Sequence, residues 1–163
     1  MFNGCTNLTT FYSSLAVLNA QTEMFKDCVN LETFYCKFPS LVNADEMFMD
    51  CKSLTTFYSD LSACTSARDT FKDCGALELF VCDLDALKTA TTTFEKCGEL
   101  KHFYSNLASL TSIEEVFEDS TKLEHFSANM DSLVNMDKAF TNFADLSHFE
   151  SNLPNVTSAN YAF

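Results

Sequence analysis

The stretches F-K-D-C-V-N-L-E-T-F-Y at 25–35 and F-K-D-C-G-A-L-E-L-F-V at 71–81 are close copies of each other. The same unit, with Phe, Leu and Phe in fixed places, returns every 23 residues, which is half the separation of these two copies, through the whole chain of 163 residues. The first Phe of this unit recurs without an insertion at positions 2, 25, 48, 71, 94, 117, 140 and 163. An internal repeat of this length is typical of a solenoid, in which each unit forms one coil and stacks on the next.

Further apolar positions follow the same period. Leu recurs from position 8, a second Phe from 11, and mainly Leu from 15 and 18, while Cys fills the first five places of the column that starts at 5. A unit of 23 residues is too short for a packed helix pair, which needs about 33. One strand and one return segment per coil fits better, with L-x-x-F-x-S as the strand and Leu8, Phe11 and Ser13 pointing inward. The sequence therefore predicts a β-rich leucine-rich-repeat solenoid of about seven coils. Its parallel sheet lies on the concave side, and short strands or helical turns lie on the convex side.

The units at 25–34 and 71–80 also resemble the A-F-x-x-C-x-x-L-x-x-I unit of BspA-like leucine-rich repeats, which have the same period. The resemblance covers the whole chain, although Phe stands where that family usually has Ile. It implies a cell-surface or secreted protein that takes part in adhesion and binds protein partners.

No linker or low-complexity stretch divides residues 1–163, so we expect a single repeat array. The chain opens at Met1-Phe2 and closes at Phe163 in the same phase of the repeat, with no polar cap at either end. Because terminal coils expose apolar faces, solenoids normally need such caps. We therefore expect this array to be part of a longer protein, or to associate end to end through its uncapped coils.

Charge and composition narrow the classes of partner. The formal net charge is −13, which disfavours nucleic acid and anionic membrane surfaces as partners. No apolar run is long enough for a transmembrane helix, and the first residues do not form a signal peptide. Protein partners remain, and among them basic ones are favoured by the charge.

No catalytic or cofactor motif is present: the phosphate-binding, dinucleotide-binding, zinc-protease and serine-hydrolase patterns are all missing. The sequence therefore predicts a non-enzymatic protein-interaction or adhesion module without a cofactor. A structural spacer or self-assembling array is the main alternative. Binding of a metal or small ligand at a column of His residues is a third hypothesis.

Candidate binding residues are those that stack in columns on the expected concave face. Tyr suits partner contacts, although stacked Tyr rings also stabilise a sheet. The three His of the chain fall in consecutive units and could bind a metal or respond to pH, but duplication of one surface His explains them equally simply. We predict no metal site. The candidate residues are Tyr12, Tyr35, Tyr58, Tyr104, His102, His125, His148, Asn106, Asn129 and Asn152.

Two other sets of polar columns have simpler explanations. Acidic residues recur at 23, 46, 69 and 115 and at 27, 50, 73 and 119. They lack the spacing of a calcium loop, so we interpret them as turn residues. The Cys column contains no C-x-x-C pair, and stacked Cys side chains with parallel Cβ directions are poorly placed for disulfides. We expect free thiols that serve as small core residues.

Overall fold

The segment around the second Phe of each unit, which reads Thr-Phe-Tyr-Ser in the first and third units, forms a short β-strand. Aromatic and β-branched residues favour the extended backbone of a half-buried strand. A computed structural model describes all 163 residues. Successive strands start 23 residues apart, and each has five residues. They are β1 (Thr10–Ser14), β2 (Thr33–Lys37), β3 (Thr56–Asp60), β4 (Leu79–Asp83), β5 (His102–Asn106), β6 (His125–Asn129) and β7 (His148–Asn152).

The seven strands form one parallel sheet in sequence order. Each strand pairs with the strand one repeat later, so that Phe11 of β1 lies beside Phe34 of β2. From β1 to β7 the chain completes about six turns of a β-solenoid. The predicted count of about seven coils is therefore not confirmed. The predicted tandem-repeat solenoid with a parallel sheet is confirmed.

Two columns of stacked Phe rings fill the core. Within one column, the ring centroids of Phe48 and Phe71 are 5.3 Å apart and their planes differ by 3°. Within the other, Phe57 and Phe80 are 5.5 Å apart. Across the columns, Phe57 meets Phe71 edge to face at 4.7 Å, an arrangement that the ring quadrupole favours. All four rings are buried, so each coil is fixed to the next through its largest apolar side chains.

The strand is shorter at its start than the L-x-x-F-x-S pattern predicted. Leu31 is fully buried, as expected, but β2 begins two residues later, at Thr33. Leu31 and Phe34 are three residues apart and both point inward, which a continuous strand with its period of two does not allow. A turn before each strand resolves the conflict by directing the Leu side chain into the core.

The return segments, which lead from one strand to the next, contain no helix. They consist of turns and isolated parallel bridges such as that between Asn43 and Ser66. Backbone bonds link successive coils here as well: the Phe25 N–H donates to the Met47 carbonyl at 2.8 Å. Neither of the two options left open by the sequence is therefore observed in full, because the return segments contain no helix and their extended pairing is limited to the isolated bridges. The structure accordingly has no helix that could cross a membrane.

Both acidic columns lie at points where the return segment adopts the left-handed conformation. Glu23 has a φ of 55° and Asp27 a φ of 60°, and the same two positions are left-handed in the later units. Asp, Asn and Gly tolerate this conformation better than other residues. The interpretation of these columns as turn residues is confirmed, and it explains how a chain with only three Gly makes so many sharp bends.

Candidate functional site: the outer face of the sheet

Each strand presents three side chains away from the core, because successive residues of a strand point to opposite faces. In β2, Phe34 and Cys36 are buried, whereas Thr33, Tyr35 and Lys37 are exposed. Stacked over seven strands, these positions form three parallel columns that we call the outer sheet face. All ten predicted binding residues lie on it, in the columns that begin at Thr10, Tyr12 and Ser14 of β1.

The central column carries the largest exposed apolar side chains of the sheet. Tyr12, Tyr35, Tyr58 and Tyr104 are 67%, 48%, 58% and 40% exposed. The rings of Tyr12 and Tyr35 are in contact, with centroids 6.4 Å apart. Between Tyr58 and Tyr104 the column is interrupted by the shorter Val81 of β4. Aromatic surface held out from a rigid sheet is available for contact with a partner at little entropic cost.

The three His form the continuous stack that the sequence predicted. The ring centroids of His102 and His125 are 5.1 Å apart, and those of His125 and His148 are 5.6 Å apart. His148 Nε2 lies 3.8 Å from a carboxylate oxygen of Glu150, while the buried Nδ1 atom of His102 has no hydrogen-bond partner. No group of three or more His, Cys, Asp or Glu side chains is placed to hold a metal ion.

The column that ends each strand is partly committed to the turn that follows. The side-chain oxygen of Asn106 accepts a hydrogen bond from the Ala108 N–H at 3.2 Å, and Asn152 donates to Asp131 at 2.8 Å. In β3, Asp60 takes the same role and accepts from both the N–H and the hydroxyl of Ser62. The side chains of Asn106 and Asp60 therefore stabilise the turn after their strand, and their oxygen atoms are already engaged in hydrogen bonds there.

The hydrogen bonds from Ser62 lower the pKa of Asp60, and the nearby Lys37 ammonium acts in the same direction. The carboxylate is thus held in its charged form. Lys37 is the only Lys or Arg among the outward positions of the strands, against the three acidic residues Asp60, Asp83 and Glu150. The outer sheet face is therefore acidic near its middle and at its β7 end.

Two recesses open on the outer sheet face around Tyr58. The larger, with a volume of about 330 Å³, is centred on Val81 and lies between Tyr58 and Tyr104. The smaller, of about 200 Å³, lies between Tyr35 and Tyr58. Asp83 lines both of them. Sequence reasoning placed Tyr58 and Tyr104 correctly but missed Val81 and Asp83. The available signal was the interruption of the Tyr column by a smaller residue.

A third recess, of about 470 Å³, lies on β6 and β7, and all but one of its lining residues are polar. Two of the predicted residues, Asn129 and Asn152, line it together with Asp131 and Glu150. Asn129 Oδ1 is buried without a hydrogen-bond partner. The predicted candidates therefore divide into two surroundings, an aromatic region over β1 to β5 and a polar region over β5 to β7.

Away from this face, most positive charges are used in ion pairs along the return segments. Lys72 lies 2.6 Å from Glu95, and Arg68 contacts the buried Asp45 at 2.8 Å. These cations therefore neutralise carboxylates of the return side and leave the charge of the outer sheet face unbalanced.

Comparison with known proteins gave no assignment. No protein-family model matches the chain, and a search of curated proteins found no similar sequence.

Proposed function

We propose that this chain is a non-enzymatic protein-interaction module that captures a partner protein with the outer sheet face. The exposed Tyr column carries the proposal. Tyr12, Tyr35, Tyr58 and Tyr104 keep between 40% and 67% of their surface in solvent, although a chain with this core has apolar positions at which they could be buried. Tyr is enriched in binding surfaces because its ring contributes a large contact area and its hydroxyl forms directed hydrogen bonds.

The distribution of sequence variation between the repeats supports the same face. The inward Phe of the strand is the same residue in all seven strands. By contrast, the outward position beside it changes from Tyr12 to Val81, Ser127 and Glu150. The inward position is constrained by the stacked Phe rings, whereas the outward position is free to carry residues that suit a partner. Repeat proteins that bind a partner do so with the varied positions of an extended surface.

We further propose that the array is of the leucine-rich-repeat kind, with the BspA-like unit as its nearest pattern, and that it acts in adhesion at a cell surface. The support is the 23-residue period and the order of Phe, Cys, Leu and Phe in the first five units. The acidic outer sheet face favours basic protein partners over nucleic acids.

Selection from a display library of random extended peptides tests the proposed face. Peptides enriched on the wild-type protein should bind a Tyr35→Ala/Tyr58→Ala double variant at least tenfold more weakly. A Val42→Ala/Val134→Ala variant is the matched control, because both Val are exposed apolar residues outside the strands. It should bind the same peptides as the wild type does. Peptides that bind the Tyr variant unchanged, or that lose binding only with the Val variant, would refute the proposed face.

A further inference from the structure

We infer that the recess between Tyr58 and Tyr104 on the outer sheet face, here called the Val81 recess, binds an arginine side chain from a basic segment of the partner. The inference rests on the proposed function, since it names the chemistry that this face would recognise. It assigns Tyr58 and Tyr104 as the aromatic walls, Val81 as the floor, and Asp83 as the counter-ion.

The shape of the recess follows from one substitution within the repeat. Tyr58 of β3 and Tyr104 of β5 both pair with Val81 of β4, so the two Tyr stand two strands apart, about 9.6 Å in a parallel sheet. A flat group in van der Waals contact with a ring on each side needs about 7 Å between those rings. The missing ring at Val81 therefore leaves a slot wide enough for one planar group. At the corresponding place between Tyr12 and Tyr58, the ring of Tyr35 is present and contacts that of Tyr12.

The charge of the recess favours a cation. Asp83 is exposed, forms no ion pair, and accepts no hydrogen bond at its carboxylate. Its neighbour Asp60 is already engaged by Ser62 and faced by Lys37. No Lys or Arg lines the Val81 recess. Asp83 is thus the carboxylate of the outer sheet face that is free to pair with an incoming positive charge.

Arginine fits this combination better than other side chains. Its guanidinium is planar, stacks on aromatic faces and donates two parallel hydrogen bonds to a carboxylate. A lysine ammonium would pair with Asp83 but would not use the two flat walls as fully. An apolar side chain would remove water from Asp83 without replacing it, and an anion would be repelled.

The smaller recess is a weaker candidate for the same ligand. It shares Tyr58 and Asp83 with the Val81 recess, but Lys37 is part of its lining. The ammonium of Lys37 opposes a second positive charge there. Both shape and charge therefore favour the binding of one arginine side chain, in the Val81 recess.

A titration followed by nuclear magnetic resonance tests the assignment on the intact chain. The probe is an acetylated and amidated Gly-Gly-Arg-Gly-Gly peptide at about physiological salt, and its isosteric counterpart carries citrulline, which keeps the planar shape without the charge. We expect saturable shifts of the Val81 methyl signals with the arginine peptide and binding at least fivefold weaker with citrulline. Equal binding of the two peptides, or no saturable shift with either, would overturn the inference.

Three variants locate the site. Val81→Tyr restores the residue that β1, β2, β3 and β5 carry at this position, so it should fold normally while filling the slot and abolishing saturable binding. Asp83→Asn should weaken binding about fivefold or more, and Tyr161→Ala, which removes an exposed Tyr outside the sheet, should leave it unchanged. Undiminished binding by a folded Val81→Tyr variant contradicts the inference.

The two proposals can fail separately. If the displayed peptides still require Tyr35 and Tyr58 but the arginine probe does not bind, the outer sheet face binds a different chemistry and only the arginine assignment is lost. If the probe binds at Val81 but the displayed peptides do not depend on the Tyr column, the site stands and the proposed interaction face is wrong.

Discussion

The thiol of Cys97 donates a hydrogen bond to the backbone carbonyl of Phe71, with Sγ and O 3.1 Å apart. Cys74 makes the same bond to Phe48 at 3.1 Å, and burial raises the pKa of both thiols, which keeps the donated proton in place. One unit further on, the hydroxyl of Ser120 bonds to Phe94 in the same way. From Cys28 to Ser120 the column therefore requires a small side chain with a donor, which explains why Ser replaces Cys at 120, whereas Phe143 in the last unit departs from this rule.

This requirement predicts an order of stability for substitutions of Cys97. Cys97→Ser keeps the size and the donor and should change the free energy of unfolding by less than about 1 kcal/mol. Cys97→Ala loses both the hydrogen bond and buried volume, and should cost about 1–3 kcal/mol. Urea unfolding followed by circular dichroism measures both values. An alanine variant more stable than the serine variant would show that the thiol acts only as an apolar group.

The Phe columns should be most sensitive to substitution at their centre. Phe80 is fully buried and stacks on Phe57 and on Phe103, so Phe80→Ala should lower the free energy of unfolding by about 3–5 kcal/mol. Phe11 is only half-buried, because it lies on the first strand, and Phe11→Ala should cost less. Thermal or urea unfolding compares the two. Equal losses would mean that the position of a ring along the solenoid does not matter.

The left-handed turn positions predict opposite effects for two substitutions at one site. Asp119 has a φ of 60° and is exposed. Asp119→Gly should be neutral or stabilising by up to about 1 kcal/mol, because Gly adopts this conformation without steric cost. Asp119→Val should cost about 1–2 kcal/mol, since a β-branched residue is strained there. The measurement is the urea midpoint, with Glu118→Gly, one residue before the turn position, as a control that should destabilise. Equal stability of the Gly and Val variants would contradict this account.

Because the pKa of Asp45 is lowered in the folded chain, we expect its contribution to the free energy of unfolding to be lost in acid. Burial raises its pKa, but hydrogen bonds from Ser66 and Arg68 outweigh that effect and leave the pKa below its usual value. A carboxylate whose pKa is lower in the folded chain stabilises the fold above its unfolded pKa of about 3.9, and this contribution disappears as the pH falls through the folded pKa. The difference in stability between pH 7 and pH 2.5 should therefore be smaller in Asp45→Asn than in the wild type. An unchanged pH profile in that variant would exclude Asp45 as a contributor.

The stacking of the coils could be predicted from sequence because it depends on identity at a fixed interval. A Phe at 11 and a Phe at 34 must lie side by side once each unit forms one coil, and they do. The 23-residue period was also sufficient to predict which Tyr and His residues stack in the same column. The extent of each strand was predicted wrongly, because the predicted strand included the spacing of three between Leu31 and Phe34, which a continuous strand does not allow.

The candidate site could be predicted only in part, since it depends on the absence of a ring at one position as well as on the Tyr rings beside it. The exposed Tyr residues could be predicted because Tyr is a residue type typical of binding surfaces. The recess at Val81 arises because one side chain is shorter than its two neighbours in space, which lie 23 residues before and after it in the sequence. The commitment of Asn106 to its own turn was likewise invisible, because an Asn that caps a turn and an Asn that contacts a partner look alike in sequence.

Since most return segments make the same backbone bonds to the next coil, the register between coils is kept when the length of the array changes by a whole repeat. Duplicating or removing one 23-residue cassette leaves each Phe facing another Phe, whereas inserting a single residue breaks the register between the coils before the insertion and those after it. Gene duplication could thus lengthen or shorten the array freely while the place of Val81 between two Tyr is kept. Single substitutions can change the residues of the binding surface, whereas the coil stacking is preserved only when a full 23-residue repeat is gained or lost.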